Sequence, residues 1–217
     1  MIVDSMTHEE VYQELARDRE SVTRWWRHQR NDLKRPMLKS RTFPRYVWRD
    51  YTSPRKNRYL LFTRIFDRHM KTILTSIAAI RLTQEGMTTY TNWIGGEKLI
   101  KPMVLIPHMW KRYAERTGID KTGIELLKHY LEHNPYGKDS NNQHVVGRSV
   151  RYNGEDHLSS CVTEGVLLGQ QRGDMFIVKT FITYDRCCGK QSEEFEGCRN
   201  QILTDKEIYK QAKRFYI

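Results

Sequence analysis

No apolar run among the 217 residues approaches the roughly 18 needed to cross a bilayer as a helix, which excludes a helical membrane protein. The opening segment, MIVDSMTHEE, is acidic and lacks the basic-then-apolar layout of a secretory leader, so a cytoplasmic location is expected. Cysteine is scarce, with four residues, and without a secretion signal these thiols are expected to be reduced. Cys187 and Cys188 are adjacent, and with Cys161 and Cys198 they do not reproduce the paired knuckles of a zinc ribbon. The phosphate-binding patterns G-x-x-x-x-G-K-[ST] and G-x-G-x-x-G are missing, as is G-x-S-x-G. ATP-dependent, dinucleotide-dependent and α/β-hydrolase chemistry therefore lack support, and no cofactor is expected. Acidic side chains are also in deficit. The 37 Lys and Arg outnumber the 26 Asp and Glu, and a net charge of +11 suggests a polyanionic partner.

The excess is concentrated. Residues 1–23 carry two basic and six acidic side chains, a balance of −4. Residues 24–58 carry twelve basic residues against Asp32 and Asp50, a balance of +10. Residues 59–217 carry 23 against 18, a balance of +5. The basic stretch also holds Trp25, Trp26, Phe43, Tyr46, Trp48 and Tyr51. Cations neutralise phosphates and flat rings stack on unpaired bases, so this composition suits nucleic acid, RNA foremost. Candidate contacts are Arg24, Arg27, Arg30, Arg45, Trp48, Arg49, Arg55, Lys56 and Arg58. A second reading makes the stretch an arm wrapped on a globular body, with its aromatics as anchors and its arginines solvated. A third makes it a docking element for an acidic protein.

Thr7-x-x-Glu10 reads as a capping box opening a helix over 7–33, ending before Pro36. Residues 34–58, with Pro36, Pro44 and Pro54, read as an extended, irregular connection. Strands are expected at 59–65, 74–82 and 87–94, the last two forming a hairpin across Gln84-Glu85-Gly86. Pro107 opens a helix stopped by Gly118, and Asp120 caps a second one over 122–132. Residues 134–158 read as a polar, flexible loop. Residues 161–170 and 175–184 flank Gln171-Arg-Gly-Asp174 as a hairpin, and Thr204-x-x-Glu207 opens a short terminal helix. The sum is an α+β fold with a mainly antiparallel sheet, two central helices, an N-terminal helix and a short C-terminal helix. The expected division is an arm over 1–58 and a globular domain over 59–217.

The sharpest chemical segment is PHMWKRYAER over 107–116. On a helix, His108, Arg112, Glu115 and Arg116 share one face. An imidazole beside two guanidiniums suits metal-free phosphodiester chemistry, in which proton transfer accompanies charge stabilisation. The alternative is a solvated face held by Glu115. In the last strand, Lys179, Thr180 and Thr183 interrupt an apolar run, and alternation assigns Lys179 and Thr183 to one face and Thr180 to the other. His129 and His133 stand at i, i+4, a spacing that can hold a metal. With Glu132 between them and no second carboxylate motif, they read as a surface pair, and no metal is expected.

The order of this helix, a second helix and a late hairpin with Lys and Thr in its last strand resembles the barnase, EndoU and RelE-like fold group. Those are metal-independent endoribonucleases, many of them toxins. The resemblance covers roughly residues 59–184. It implies His108 as general acid or base, Arg112 and Arg116 on the scissile phosphate, and Thr180 or Thr183 as a hydrogen-bond donor, with Lys179 as a further candidate. The basic arm is not part of that fold and no second catalytic histidine is evident, although His144 and His157 in the flexible loop could supply one. The alternative function is a non-catalytic nucleic-acid-binding or protein-interaction module.

Overall fold

The computed structural model describes residues 1–91, 94–95, 98–99, 102–134, 146–152, 155–173, 175–189, 192–193, 195–197, 199–200 and 202–203. The fold is α+β with a mainly antiparallel sheet, as expected. The chain divides into two compact units, one formed by Met1–Gln84 with Thr88–Pro102 and Lys213–Ile217, the other by Glu85–Met87 with Met103–Ala212.

The first unit begins with helix α1, His8–Lys39. Its capping box is present: Glu10 N donates to Thr7 Oγ1 over 3.3 Å and Thr7 N donates to Glu10 Oε2 over 2.7 Å. Two orphan amides of the helix start are thereby satisfied. The helix does not stop before Pro36. It runs one turn further, because Leu33 and Met37 are buried with Ile65 and Met70 and partly buried Phe43, Val47 and Ile73. Packing on both sides of the proline outweighs the hydrogen bond its ring removes, a penalty of about 3 kcal/mol in a helix interior.

The segment expected to be irregular contains strand β1, Arg45–Thr52, paired antiparallel with β2, Arg58–Ile65. β3, Ile73–Thr83, pairs with β2, and β4, Gly86–Thr91, returns from it as the expected hairpin. Short strands β5, Ile94–Gly95, and β6, Lys98–Leu99, pair with each other. Prolines at 44 and 54 only bracket β1, where a missing amide costs no ladder bond.

The β1–β2 turn is tied to α1 by buried polar groups. Asp18 accepts from Ser53 Oγ at 2.6 Å, Asn57 Nδ2 at 2.7 Å and Tyr59 Oη at 2.7 Å. Glu14 accepts both prongs of the Arg55 guanidinium at 2.8 Å. That guanidinium, then the Met1 ammonium and Asn57, hold the Glu14 carboxyl far below the usual carboxylate range against the opposing effect of burial.

The second unit contains β7, Met103–Leu105, α2, Pro107–Thr117, and α3, Gly123–His133. Gly118 closes α2 in the left-handed conformation at φ 70°, as expected. The N-cap of α3 is Thr122 rather than Asp120, and its side chain makes no capping bond. Within the expected loop lie β8, Val146–Tyr152, and the first half of β9, Glu155–Val162. Polar residues such as Asp156, Ser159 and Ser160 mask the strand pattern of β9. The hairpin β10, Gly165–Arg172, and β11, Met175–Thr183, forms as expected. Within this unit the strand order is β7-β11-β10-β9-β8, with β7 parallel to β11 and the other neighbours antiparallel.

Tyr113 of α2 meets Phe181 of β11 edge-on at 5.0 Å and Tyr130 of α3 at 5.2 Å, so α2 lies on the Phe181 face. The opposite face carries Val166, Leu168, Ile182 and Tyr184, packed with Cys161, Phe195 and Ile202. Phe195 and Ile202 belong to the C-terminal helical segment, and the capping motif expected at 204–207 lies outside the described residues.

Candidate nucleic-acid interface

The fold divides the basic stretch between a helix and an edge strand. On α1, Arg24, Arg27, Arg30, Lys34, Arg35 and Lys39 are all exposed. Arg24 pairs with Glu20 at 2.7 Å, and the Arg30 guanidinium lies 5.9 Å from the Trp26 ring centre. The acidic residue in that stretch of helix, Asp32, is paired with His28 at 2.9 Å.

β1 is the edge of its sheet, and its alternation separates Arg45 and Arg49 from Tyr46 and Trp48. Val47 and Tyr51 face α1: Val47 packs in the Leu33 and Met37 cluster, and Tyr51 stacks on Trp25 at 4.5 Å. Arg45 and Arg49 share their face and are exposed. Arg49 Nη1 donates to the carbonyl of Trp48 over 2.9 Å. Tyr46 and Trp48 lie on the other face, opposite Arg64 and Phe62 of β2. There Trp48 stacks on Phe62 at 4.3 Å, Tyr46 on Phe62 at 6.0 Å, and the Arg64 guanidinium lies 5.2 Å from the Tyr46 ring centre. Tyr46 remains 49% exposed.

The remaining candidates of this stretch have different settings. Arg55 is bound to buried Glu14, and this clamps the turn to the helix. Arg58 lies 3.6 Å from Asp50. Lys56 is exposed at the tip of the turn with φ 63°. Trp25, read together with the arginines as a stacking residue, is an anchor between α1 and β1.

The second candidate group does not gather into one site. His108 is exposed in the first turn of α2 and makes no hydrogen bond or ion pair among the described residues. Arg112 is held by Glu115 at 2.9 Å. Arg116 donates to the carbonyl of Phe181, and its pKa is pushed down first by burial and then by Arg112 and Arg186. Strand alternation breaks at Lys179, which has no partner in the register because Thr180 opposes Leu168 and Val178 opposes Gly169. Lys179 is thus the extra residue of a β-bulge and is exposed. Past the bulge, Thr183 shares the Phe181 face toward α2, whereas Thr180 shares the Leu168 face away from it. The Thr183 hydroxyl bonds the Asp185 carboxylate and is the main cause of that group's lowered pKa. His157 lies in β9, and His144 lies outside the described residues.

Arg64 and Phe62 were missed in the sequence because they sit in a strand that reads as core. Their place beside Tyr46 and Trp48 is set by the β1–β2 register, which no local pattern encodes. Arg186, in the turn Tyr184–Arg186 after β11, was missed because its nearness to Arg116 depends on packing between segments far apart in the chain. Among the described residues no group of three or more His, Cys, Asp or Glu could hold a metal ion, and no helix is long and apolar enough to cross a membrane. Comparison with protein-family models, curated proteins and solved structures returned no match.

Proposed function

We propose that the first unit binds nucleic acid, with RNA favoured, through the outward side of α1 and the edge strand β1. One observation carries this reading: Arg27, Arg30, Lys34 and Arg35 are exposed along one helix next to exposed Arg45 and Arg49, with Asp32 alone in that stretch of helix to oppose them. Such a strip neutralises successive phosphates and releases their counterions, so binding depends on the backbone more than on the bases. Tyr46, on the reverse face of the same edge strand, offers a ring to an unpaired base that turns around the edge.

The test is a titration of labelled single-stranded and duplex RNA with the full chain at several salt concentrations. Binding is expected to weaken steeply with salt, and Arg27→Gln/Arg30→Gln/Lys34→Gln/Arg35→Gln is expected to flatten that dependence. Affinity that ignores both salt and the fourfold substitution removes the proposal.

A second reading, metal-independent RNA cleavage, draws on Arg116 of α2, whose guanidinium feels the charges of Arg112 and Arg186, on the helix that begins with exposed His108. The partners already held by Arg112, Arg116 and Thr183 favour binding over cleavage. Incubation of the same RNA in EDTA distinguishes them: cleavage by the parent that His108→Ala abolishes would favour the second reading.

A further inference from the structure

The second unit holds a polar cluster that neither reading uses. Tyr113 is fully buried on α2, and its hydroxyl lies 2.5 Å from Glu164 Oε2, 3.1 Å from His129 Nδ1 and 3.1 Å from Asn134 Nδ2. Asn134 Nδ2 also donates to Glu164 Oε2 over 2.7 Å, and its Oδ1 accepts from Glu164 N at 3.0 Å, which fixes the orientation of the amide. At the end of α3, the ring of His133 stacks on that of His129 at 3.9 Å and 10°. His133 Nδ1 lies 2.9 Å from the carbonyl oxygen of His129.

Counting protons fixes both imidazoles. Glu164 Oε2 also accepts from Asn134, so the one phenolic proton of Tyr113 goes to that oxygen. The phenolic oxygen therefore accepts from Asn134 and from His129, which requires the proton of neutral His129 to sit on Nδ1. A backbone carbonyl also only accepts, so the proton of neutral His133 sits on Nδ1 as well. Both Nε2 atoms are left as bare lone pairs, on two rings already in contact.

We propose that His129 and His133 form a binding site for a late first-row divalent cation such as Zn2+, with Tyr113, Glu164 and Asn134 as positioning residues. Imidazole nitrogen suits Zn2+, and a metal-bound histidine is usually held through its other ring nitrogen, here by the Tyr113 hydroxyl that Glu164 anchors. The rings are nearly parallel, so a shared ion requires exposed His133 to tilt while His129 stays held by Tyr113. Of the charges near His129, Glu132 and Glu164 favour a cation and Lys121 opposes it. With two protein ligands, water or a substrate atom completes the coordination shell. The site is independent of the nucleic-acid reading.

Calorimetric titration of the full chain with Zn2+ at neutral pH tests the site. One ion per chain is expected, with affinity falling at least about tenfold in His133→Asn and in His129→Asn. His133 is exposed, so its replacement leaves the core intact, and the circular dichroism spectrum should match that of the parent. No binding, or binding unchanged in His133→Asn because cysteines or other histidines hold the ion, overturns the site. Long-range nitrogen–proton spectra of the metal-free chain test the positioning role. His129 is expected as the Nδ1–H tautomer, shifting toward Nε2–H in Tyr113→Phe. An Nε2–H tautomer in the parent overturns that role.

Discussion

At the scale of single residues, Glu14 shows how one carboxylate joins a helix to a turn. It is buried, and its charge is answered by Arg55 and Asn57 on the β1–β2 turn. Glu14→Gln strands no buried charge, since Arg55 is 41% exposed, but it loses the charged hydrogen bonds to that guanidinium and is expected to lower stability by about 2 kcal/mol in urea unfolding at neutral pH. The pH dependence follows from the lowered pKa. The folded state favours the ionised carboxylate, so this stabilisation is complete above the unfolded value of about 4.3 and fades as pH falls toward the lower folded value. The difference between parent and Glu14→Gln should therefore narrow between about pH 5 and about pH 2. A constant difference across that range contradicts the assignment. The cluster was not legible in the sequence, where Arg55 reads as one more cation of the basic stretch. Nothing local to Arg55 reports a carboxylate 41 positions away.

At the scale of elements, boundaries written in local chemistry came out where the sequence marked them, except that Thr122 and not Asp120 caps α3. The Thr7–Glu10 capping box, the Pro107 start and the Gly118 stop all depend on atoms within one helical turn. Boundaries that depend on packing did not: α1 passes Pro36, and β1 forms between prolines. The bulge at Lys179 belongs to this class, since one extra residue reverses the faces of all that follows. Gly169 opposes Val178 at the bulge, and a Cβ added there would collide with the Ile177 carbonyl and the Phe176 ring. Gly169→Ala is thus expected to cost about 2 kcal/mol or more by thermal unfolding, with the strand displaced rather than the side chain. A variant as stable as the parent would mean that the bulge relaxes freely.

At the scale of the whole molecule, charge is the property that composition alone reveals. The net +11 comes chiefly from residues 24–58, and the fold exposes most of those cations while reserving Arg55 for Glu14. Each phosphate left without its cation should reduce the salt slope by about 0.7 for a single strand, so the fourfold α1 variant is expected to lose about 3 from the slope of log affinity against log salt. Binding of homopolymers of different base should agree within a few-fold if the backbone is what is recognised, and a strong preference for one base would shift the weight to Tyr46 and Trp48. By itself, the sequence determined the fold class, the capping box of α1, the start and stop of α2, the late hairpin and the concentration of positive charge, because each rests on residue type and short spacing. Only the tertiary structure decided which cations stay exposed, how β1 separates Arg45 and Arg49 from Tyr46 and Trp48, and why His129 and His133 present bare nitrogens. Those outcomes depend on strand register and on buried partners distant in the chain, and a local pattern carries no record of either.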